Sequence, residues 1–230
     1  MNSWNRYSQK ALKAIYTTQS YDPLLRPDGG LGGRKLNDGE AHSYIRTSTG
    51  RVVRIDDPRW CMMNGQISIE DIAHALAYTN RFGGHAKGGY TVAQHCIRAS
   101  SIAAPGDMLW ALMHDAPEAY MGDLVSPLKR LDMIRPAWTS LEHDWDKVIR
   151  SRFKVSAPQH NIVAQEARVK AIDLQLLGRE IIDLLPYGIE DAVNIYYCDG
   201  RTPDLLPENE EILSHEQAKQ EFLETFSRLT

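Results

Sequence analysis

The chain has 230 residues, 43% hydrophobic and 24% charged, the balance of a soluble globular protein with a sizeable core. Its net charge of −4 excludes the basic surface of a protein that binds duplex nucleic acid. No apolar run approaches the roughly 20 residues of a membrane span, and the polar N-terminus lacks a signal-peptide core, which predicts a cytoplasmic protein without membrane partners. Cys61, Cys96 and Cys198 have no metal-type spacing, so we expect reduced thiols.

The first part of the chain predicts a helix, a loop and a β-hairpin. Residues 3–18 carry apolar residues at helical spacing. Residues 21–40 are rich in Gly, Pro and Asp, as loops and linkers are. Residues 42–55 contain β-branched and aromatic side chains on both sides of a turn at 48–50, which predicts a small hairpin. The loop and the hairpin either close over a substrate as a lid or only cover the helices.

From Ser68 onward the spacing of apolar residues predicts helices. Ser68 with Asp71, and Ser214 with Gln217, have the spacing of a capping box. The helices between these two starts are expected at 90–104, from Asp107, from Pro136 and at 161–185, whereas 190–198 is ambiguous between helix and strand.

The pattern as a whole predicts an all-α protein, a helical bundle with a small N-terminal β-hairpin. It forms a single domain, 1–230, whose core spans about 68–185. Residues 1–67 precede that core and 186–230 extend it. In the extension, the apolar stripe of Ala218, Phe222 and Phe226 is either core or an interface.

The pair His114-Asp115, in an otherwise apolar run, is the first sign of chemistry. A buried, unpaired carboxylate is costly, and a divalent metal would satisfy both residues. Taken alone, the pair is better interpreted as a core histidine bonded to its neighbour. His95 and Asp173 lie in two other predicted helices, however, and complete a site of two histidines and two carboxylates. That set suits Co, Mn, Fe, Ni or Zn, with Mg as a weaker alternative.

The order His, His-Asp, Asp resembles that of the HD-domain metal-dependent phosphohydrolases, most closely the bacterial 5′-deoxynucleotidases and related phage enzymes. The resemblance runs from about Ser68 to about Leu177. Its motifs are Asn80-Arg81-Phe82, Val92-Ala93-Gln94-His95, His114-Asp115-Ala116-Pro117-Glu118-Ala119, Gly122-Asp123-Leu124-Val125-Ser126-Pro127-Leu128-Lys129 and Lys170-Ala171-Ile172-Asp173. It implies an HD-domain helical bundle that holds one divalent metal through His95, His114, Asp115 and Asp173.

Glu118 is the candidate for the catalytic acid or base. It lies three residues after Asp115 and four after His114, so a continuous helix would present all three toward one cavity. The alternative is a solvated helix carboxylate. In the family the Glu at this position is implicated in catalysis, which favours the first interpretation.

Five further residues are candidates for contact with substrate. The resemblance implies that Asp123 lies beside the attacked phosphate, although Asp after Gly also suits a turn. Arg81 offers a planar fork of donors to phosphate, and in the family an Arg-aromatic pair here helps to reject a ribose 2′-hydroxyl. Phe82 stands where Trp is common. Lys129 either offsets phosphate charge or is a solvated Lys, and His85 either reaches substrate or is a loop residue without a role.

The resemblance implies hydrolysis of small nucleotides at the α-phosphate, with deoxynucleoside 5′-monophosphates favoured over triphosphates. Hydrolysis of the alarmone (p)ppGpp fits less well, because Ala116-Pro117-Glu118-Ala119 replaces the Glu-Asp run of those enzymes. Hydrolysis of cyclic dinucleotides would require additional His ligands. A nucleotide sensor that no longer turns over and a purely structural helical protein are the non-enzymatic alternatives. Family members are often dimers or larger, so the resemblance also allows a homo-oligomer.

Overall fold

The computed structural model describes residues 44–155, 162–186, 190 and 211–230. Most of these residues are helical, and one small antiparallel sheet precedes the helices, as predicted. The predicted helix 3–18, the loop 21–40 and, except for residue 190, the ambiguous segment 190–198 lie outside the described residues. Within the described part, no helix combines the length and the apolar character needed to cross a bilayer.

Two strands and a series of helices follow one another along the described residues. The strands are β1 (Tyr44–Arg46) and β2 (Val52–Arg54), paired with Tyr44 opposite Arg54. The helices are α1 (Pro58–Met63), α2 (Ile69–Tyr78), α3 (Val92–Ile102), α4 (Met108–Met113), α5 (Glu118–Met121), α6 (Ser126–Lys129), α7 (Arg135–Phe153), α8 (Ile162–Leu184) and α9 (His215–Leu229). Two 3₁₀ turns, Arg81–Gly84 and Lys87–Gly89, connect α2 to α3.

One buried carboxylate, that of Asp71 in α2, anchors the hairpin turn to the helices. Its Oδ1 accepts hydrogen bonds from the Ser48 hydroxyl at 2.8 Å and the Thr49 N–H at 2.9 Å. Its Oδ2 accepts from the Thr47 and Thr49 hydroxyls at 2.9 and 2.7 Å. Ser68 caps α2 as predicted, and its hydroxyl also donates to Asp71 at 2.9 Å. The Asp71 carboxylate thus accepts hydrogen bonds from the hairpin turn and from the hydroxyl of the capping residue Ser68.

Replacing Asp71 by Asn is expected to lower the free energy of unfolding by about 2–3 kcal/mol, because an amide turns a donor toward groups that are themselves donors. Urea unfolding at neutral pH measures the change. Asp56→Asn is the matched control in the same hairpin region. Its carboxylate is about half exposed, so we expect a change within about 0.5 kcal/mol. Equal losses in the two variants would contradict the anchoring role.

The same carboxylate makes stability depend on pH. Burial alone would raise the pKa of Asp71, but the hydrogen bonds from Thr49, Ser48 and Thr47 outweigh it and hold the pKa below its usual value. The stabilisation is therefore fully present above the unfolded-state pKa of about 3.9 and is lost as the pH falls through the lower native value. The stability gap between the unsubstituted protein and Asp71→Asn should narrow in acid. A gap that does not change with pH would contradict this assignment.

The helices share a core that continues beyond the predicted 68–185 core. α9 packs against α2 and α3, with Ala218 and Phe222 fully buried. The C-terminal stripe is therefore core at these two positions, and burial of Phe222 contributes about 1.5–3 kcal/mol. Cys61 and Cys96 are free thiols in the same core. Burial raises the pKa of each to about 11, so both are protonated near neutral pH.

The prediction that one continuous helix carries both His114 and Glu118 is wrong. α4 ends one residue before His114, and residues 114–117 form a turn before α5 begins. Pro117 has no N–H to continue the α-helical pattern. The N–H groups of Ala116 and Glu118 instead bond the carbonyls three residues back, at 3.1 and 2.9 Å. His114 and Glu118 nevertheless line one cavity, because the tighter turn keeps both on the same side.

Two side chains link the helices around the site to the rest of the fold. Gln94 of α3 donates to the Glu211 carbonyl at 2.9 Å and accepts from the Leu213 N–H at 3.1 Å, which fixes the segment before α9. Asp107 is predicted to cap α4, but its carboxylate makes no cap bond. It accepts two bonds from Arg168 of α8 instead, at 2.6 and 2.8 Å. These contacts hold α8 and α9 against the α3–α4 pair.

Candidate metal centre

Two histidines from different helices face each other through the same ring nitrogen. His95 lies on α3 and His114 follows the last residue of α4, and these two helices pack directly together. The Nε2 atoms are 3.2 Å apart. The His95 side chain is fully buried and that of His114 is 10% exposed.

The other ring nitrogens fix the tautomer of both histidines. His95 Nδ1 lies 2.6 Å from Glu180 Oε1, and His114 Nδ1 lies 2.7 Å from the Ala111 carbonyl. A carboxylate and a carbonyl can only accept, so each Nδ1 carries a proton and donates. In the neutral rings both Nε2 atoms then present lone pairs to each other, an arrangement that a metal ion between them, or a proton on one of the two rings, would satisfy.

Two carboxylates approach the same point. Asp115 Oδ2 lies 3.3 Å from His114 Nε2 and 3.7 Å from His95 Nε2. Asp173 Oδ1, from α8, lies 3.3 Å from His95 Nε2 and 3.8 Å from His114 Nε2. Donor atoms about 2.1 Å from one metal are about 3.0–3.4 Å apart in octahedral or tetrahedral geometry. His95, His114 and Asp115 form a group that could hold a metal ion. Asp173 is next to this group, with its Oδ1 atom in contact with His95 Nε2.

The charges at this point favour a positive partner. Burial alone would lower the pKa of His114, but the negative charge of Asp115 and contacts that include Asp173 raise it well above the ordinary value. Burial would raise the pKa of Asp173, but hydrogen bonds from His114 and His95 hold it well below its usual range. Both directions show that the carboxylates at this site stabilise positive charge on the imidazoles or between them.

Glu180 is part of this site, and the sequence analysis missed it. Its carboxylate is fully buried on α8, bonded to His95 through one oxygen and to Arg81 Nε at 2.9 Å through the other. The nearest sequence signal is its spacing of seven residues from Asp173, which places both on one face of a helix. Arg81, predicted to bind phosphate, also has Nη1 3.5 Å from Asp115 Oδ2. It lines the cavity beside the metal ligands.

Glu118 is a buried carboxylate, and one of its oxygens has no partner in the part of the chain that the structure describes. Its Oε1 accepts from Lys129 Nζ at 3.2 Å, and its Oε2 is buried with no hydrogen-bond partner among the described residues. Burial, together with the charges of Asp115 and Asp123, raises the pKa of Glu118 well above its usual value. A buried carboxyl with an open oxygen and a raised pKa can hold and release a proton.

The remaining candidates line the cavity in different ways. Lys129 is bonded to both Glu118 and Glu142, the latter at 3.1 Å, so two carboxylates already hold it. Glu142 was not foreseen in the sequence analysis. Asp123 also lines the cavity, and burial raises its pKa above the usual value. His85 lines the cavity as well but is exposed.

Phe82 has an unusual backbone conformation for its residue type. Its φ of 56° and ψ of 31° lie in the left-handed region, which side chains other than Gly rarely adopt. Its ring lies 5.6 Å from the guanidinium carbon of Arg81 and packs among Tyr90, Leu184 and Leu185. Strain of this kind is found most often at functional sites, where the surrounding packing maintains it.

The candidate residues open into one cavity of about 1210 Å³. Its lining includes His114, Asp115 and Asp173 together with residues of α6 and α7. Apolar side chains contribute part of the wall, namely Phe82, Leu124, Val125, Leu174, Leu177 and Leu185. The arrangement can therefore hold a ligand with an anionic end at the histidines and an apolar body beside them.

Comparison with known proteins places the chain among relatives of unassigned activity. No family model matches it. An uncharacterized protein of Rhodobacter capsulatus is 36% identical over 124 residues, which cover 50% of this chain and 60% of that protein. The uncharacterized protein YfdR of Escherichia coli K12 is 35% identical over 150 residues, which cover 65% of this chain. Because this alignment also spans 75% of YfdR, the chain belongs to the YfdR family.

Proposed function

We propose that this protein is an HD-type, metal-dependent phosphohydrolase that cleaves small nucleotides at the α-phosphate, with deoxynucleoside 5′-monophosphates as the preferred substrates. The observation that carries the proposal is the pair of facing imidazole nitrogens, 3.2 Å apart, with a carboxylate oxygen 3.3 Å from each. The order of these residues along the chain supports it, because it is the order found in the HD enzymes.

The donor set fits one divalent transition metal. His95, His114, Asp115 and Asp173 would hold it, and two imidazoles with two carboxylates suit Co, Mn, Fe, Ni or Zn. A bound metal would polarise a phosphoryl oxygen and lower the pKa of a water molecule at an open position. Glu180 and the Ala111 carbonyl would keep the Nε2 atoms of His95 and His114 directed to the metal position, since each accepts a hydrogen bond from the Nδ1–H of one ring.

Glu118 would move the proton. The unpaired Oε2 would orient the attacking water or, when protonated, deliver the proton to the leaving nucleoside oxygen. Lys129, bonded to Oε1, keeps the carboxyl group in place. Asp123 lies on the same cavity wall, where its carboxylate would contribute to the same proton balance.

The charge of the cavity favours a substrate with one phosphate. Among the described residues, seven carboxylates line it against four Lys or Arg side chains. Three of those four cations, Arg81, Lys129 and Lys170, are already paired with carboxylates. With one metal bound, a monophosphate adds less negative charge to these walls than a triphosphate, so its binding costs less free energy.

A deoxynucleoside triphosphohydrolase is the second candidate, and the size of the cavity is the observation that favours it. Its volume of about 1210 Å³ is at or above the upper end of the 300–1,000 Å³ or so that is typical of small-molecule sites. Space therefore does not exclude the two additional phosphates, and the distinction depends on charge alone.

Identification of the products tests the proposal. The protein loaded with Co²⁺ or Mn²⁺ is offered each deoxynucleoside and ribonucleoside mono- and triphosphate, and the products are separated by chromatography. Nucleoside and inorganic phosphate from the deoxynucleoside monophosphates are expected. Tripolyphosphate from a deoxynucleoside triphosphate would support the second candidate instead. No product from any nucleotide, with metal shown to be bound, would contradict both and favour a nucleotide sensor.

A further inference from the structure

The Glu180 carboxylate joins two side chains with different tasks in the proposed reaction. Oε1 lies 2.6 Å from Nδ1 of His95, a proposed metal ligand. Oε2 accepts from Nε of Arg81, a proposed phosphate contact, at 2.9 Å. Since Nδ1 is on the far side of the ring from Nε2, this contact places Glu180 behind the histidine, where it acts through His95 and not as a ligand.

A carboxylate with no exposure is stable only with partners that replace water. Glu180 is 0% exposed, and two donors from separate elements supply this replacement: a ring N–H from α3 and a guanidinium from the turn before it. Burial would raise the pKa of Glu180, but Arg81 and His95 hold it below the usual value. The group is therefore a fixed negative charge between them.

Arg81 extends this link to a third side chain. Its Nη1 lies 3.5 Å from Oδ2 of Asp115, another proposed ligand, and the residue also lines the cavity. Released from Glu180, the guanidinium would remain free to pair more closely with Asp115 and so compete with the metal for that oxygen. Held by Glu180, it presents its other edge to an arriving anion.

We propose that Glu180 is a positioning residue that couples metal binding at His95 to phosphate binding at Arg81. The inference rests on the proposed function. Its chemical basis is that both partners of the carboxylate are donors. An amide in its place offers one acceptor oxygen and one NH₂ group, so it satisfies only one of the two. Glu180→Gln is therefore expected to disturb His95 or Arg81 with little change in side-chain volume.

Asp107→Asn is the matched control. Asp107 is likewise a buried carboxylate that accepts from an arginine, and its partner Arg168 is on α8, the same helix as Glu180. Asp107 does not line the cavity. A loss that comes only from breaking a buried ion pair of α8 would therefore appear in both variants, whereas the coupling appears only at Glu180.

The experiment titrates the full-length protein with Co²⁺ and follows visible absorption, and then measures the binding of inorganic phosphate with and without Co²⁺ by calorimetry. Glu180→Gln is expected to weaken Co²⁺ binding by about 10–100-fold, the usual effect of losing a partner of a metal ligand. Its Co²⁺ spectrum should shift at saturation, and Co²⁺ should strengthen phosphate binding less than in the unsubstituted protein. Asp107→Asn should lower the melting temperature and change none of these three properties, the Co²⁺ affinity, the Co²⁺ spectrum and the effect of Co²⁺ on phosphate binding.

Circular dichroism verifies that each variant is folded. Where Glu180→Gln does not fold, Glu180→Asp decides, because it keeps the charge but is one methylene too short to reach both partners. We expect a smaller but measurable loss of Co²⁺ affinity. Affinity and phosphate coupling equal to those of the unsubstituted protein in the folded variant would overturn the proposal, as would an unsubstituted protein that binds no Co²⁺. An unsubstituted protein that binds Co²⁺ and phosphate, depends on Glu180, yet hydrolyses no nucleotide would overturn only the proposed function.

Discussion

Replacing Asp115 by Ala is expected to remove both the bound metal and hydrolysis of nucleotides. Asp115 Oδ2 lies 3.3 Å from His114 Nε2, within the separation expected of two donors on one metal. It also accepts from Arg81 at 3.5 Å, so the variant removes one of the two carboxylates, Asp115 and Glu180, that pair with this cation beside the metal position. Loss of a ligand should weaken metal binding by more than the 10–100-fold or so typical of outer partners.

Metal content after dialysis, measured by mass spectrometry, and phosphate release from deoxynucleoside monophosphates give the two readouts. Asp146→Asn is the matched control, because Asp146 lines the same cavity but pairs with Arg150 of its own helix at 2.6 Å. It should keep its metal and most of its activity. If Asp115→Ala retains the metal and turns over substrate at the normal rate, the proposed site is wrong.

The candidate ligands of this site could be proposed from the sequence because each lies in a local pattern that the sequence displays. His95 and Asp173 interrupt apolar stripes, and helices form at both positions, α3 and α8. The packing that brings α3, α4 and α8 together cannot be predicted from the apolar stripe of any one helix. The order of motifs, which resembles that of the HD enzymes, supplied that expectation, and in the structure each of the two carboxylate oxygens lies 3.3–3.8 Å from the two Nε2 atoms.

Glu180 shows why the rest of the site was not predicted. In the sequence it follows an arginine and begins no motif, so it reads as a charged residue on the exposed face of a helix. Its burial depends on Arg81, 99 residues away, and on His95, 85 residues away. Glu142 is a similar case, because only the path of α6 brings Lys129 within reach of α7. Partnerships across such distances follow from tertiary packing, which residue spacing does not encode.

The hairpin and the turn at 114–117 show which features of the fold can be predicted from local sequence and which cannot. The turn at 48–50 was predictable from its residues, but its attachment to Asp71 was not, since the same Asp also suits a capping box. Pro117 contains the signal that ends α4, because proline lacks an N–H, yet the apolar periodicity around it favoured a continuous helix. In both places the sequence supports two local interpretations, and spacing alone does not indicate which of them the structure follows.

Replacing Glu118 by Gln is expected to leave the metal bound and to lower kcat by about 10²–10⁴-fold, the usual contribution of a general acid or base. Gln keeps the volume and, through its amide oxygen, the bond that Lys129 donates to Oε1. It cannot exchange a proton at the position of Oε2, the oxygen without a partner among the described residues. Metal content and kcat on the preferred deoxynucleoside monophosphate test the two halves of the prediction.

Glu142→Gln is the control that separates proton transfer from the effect on Lys129. Both Glu118 and Glu142 accept from Lys129 Nζ, at 3.2 and 3.1 Å, but the Glu142 side chain is 36% exposed whereas that of Glu118 is 6% exposed. Each variant replaces one of the two carboxylates that accept from Lys129 by an uncharged amide. If the loss of kcat arises through Lys129, kcat should decrease by a similar factor in both variants. If it arises from the buried carboxyl itself, kcat should decrease only in Glu118→Gln. A normal kcat in that variant would exclude Glu118 from the chemical step.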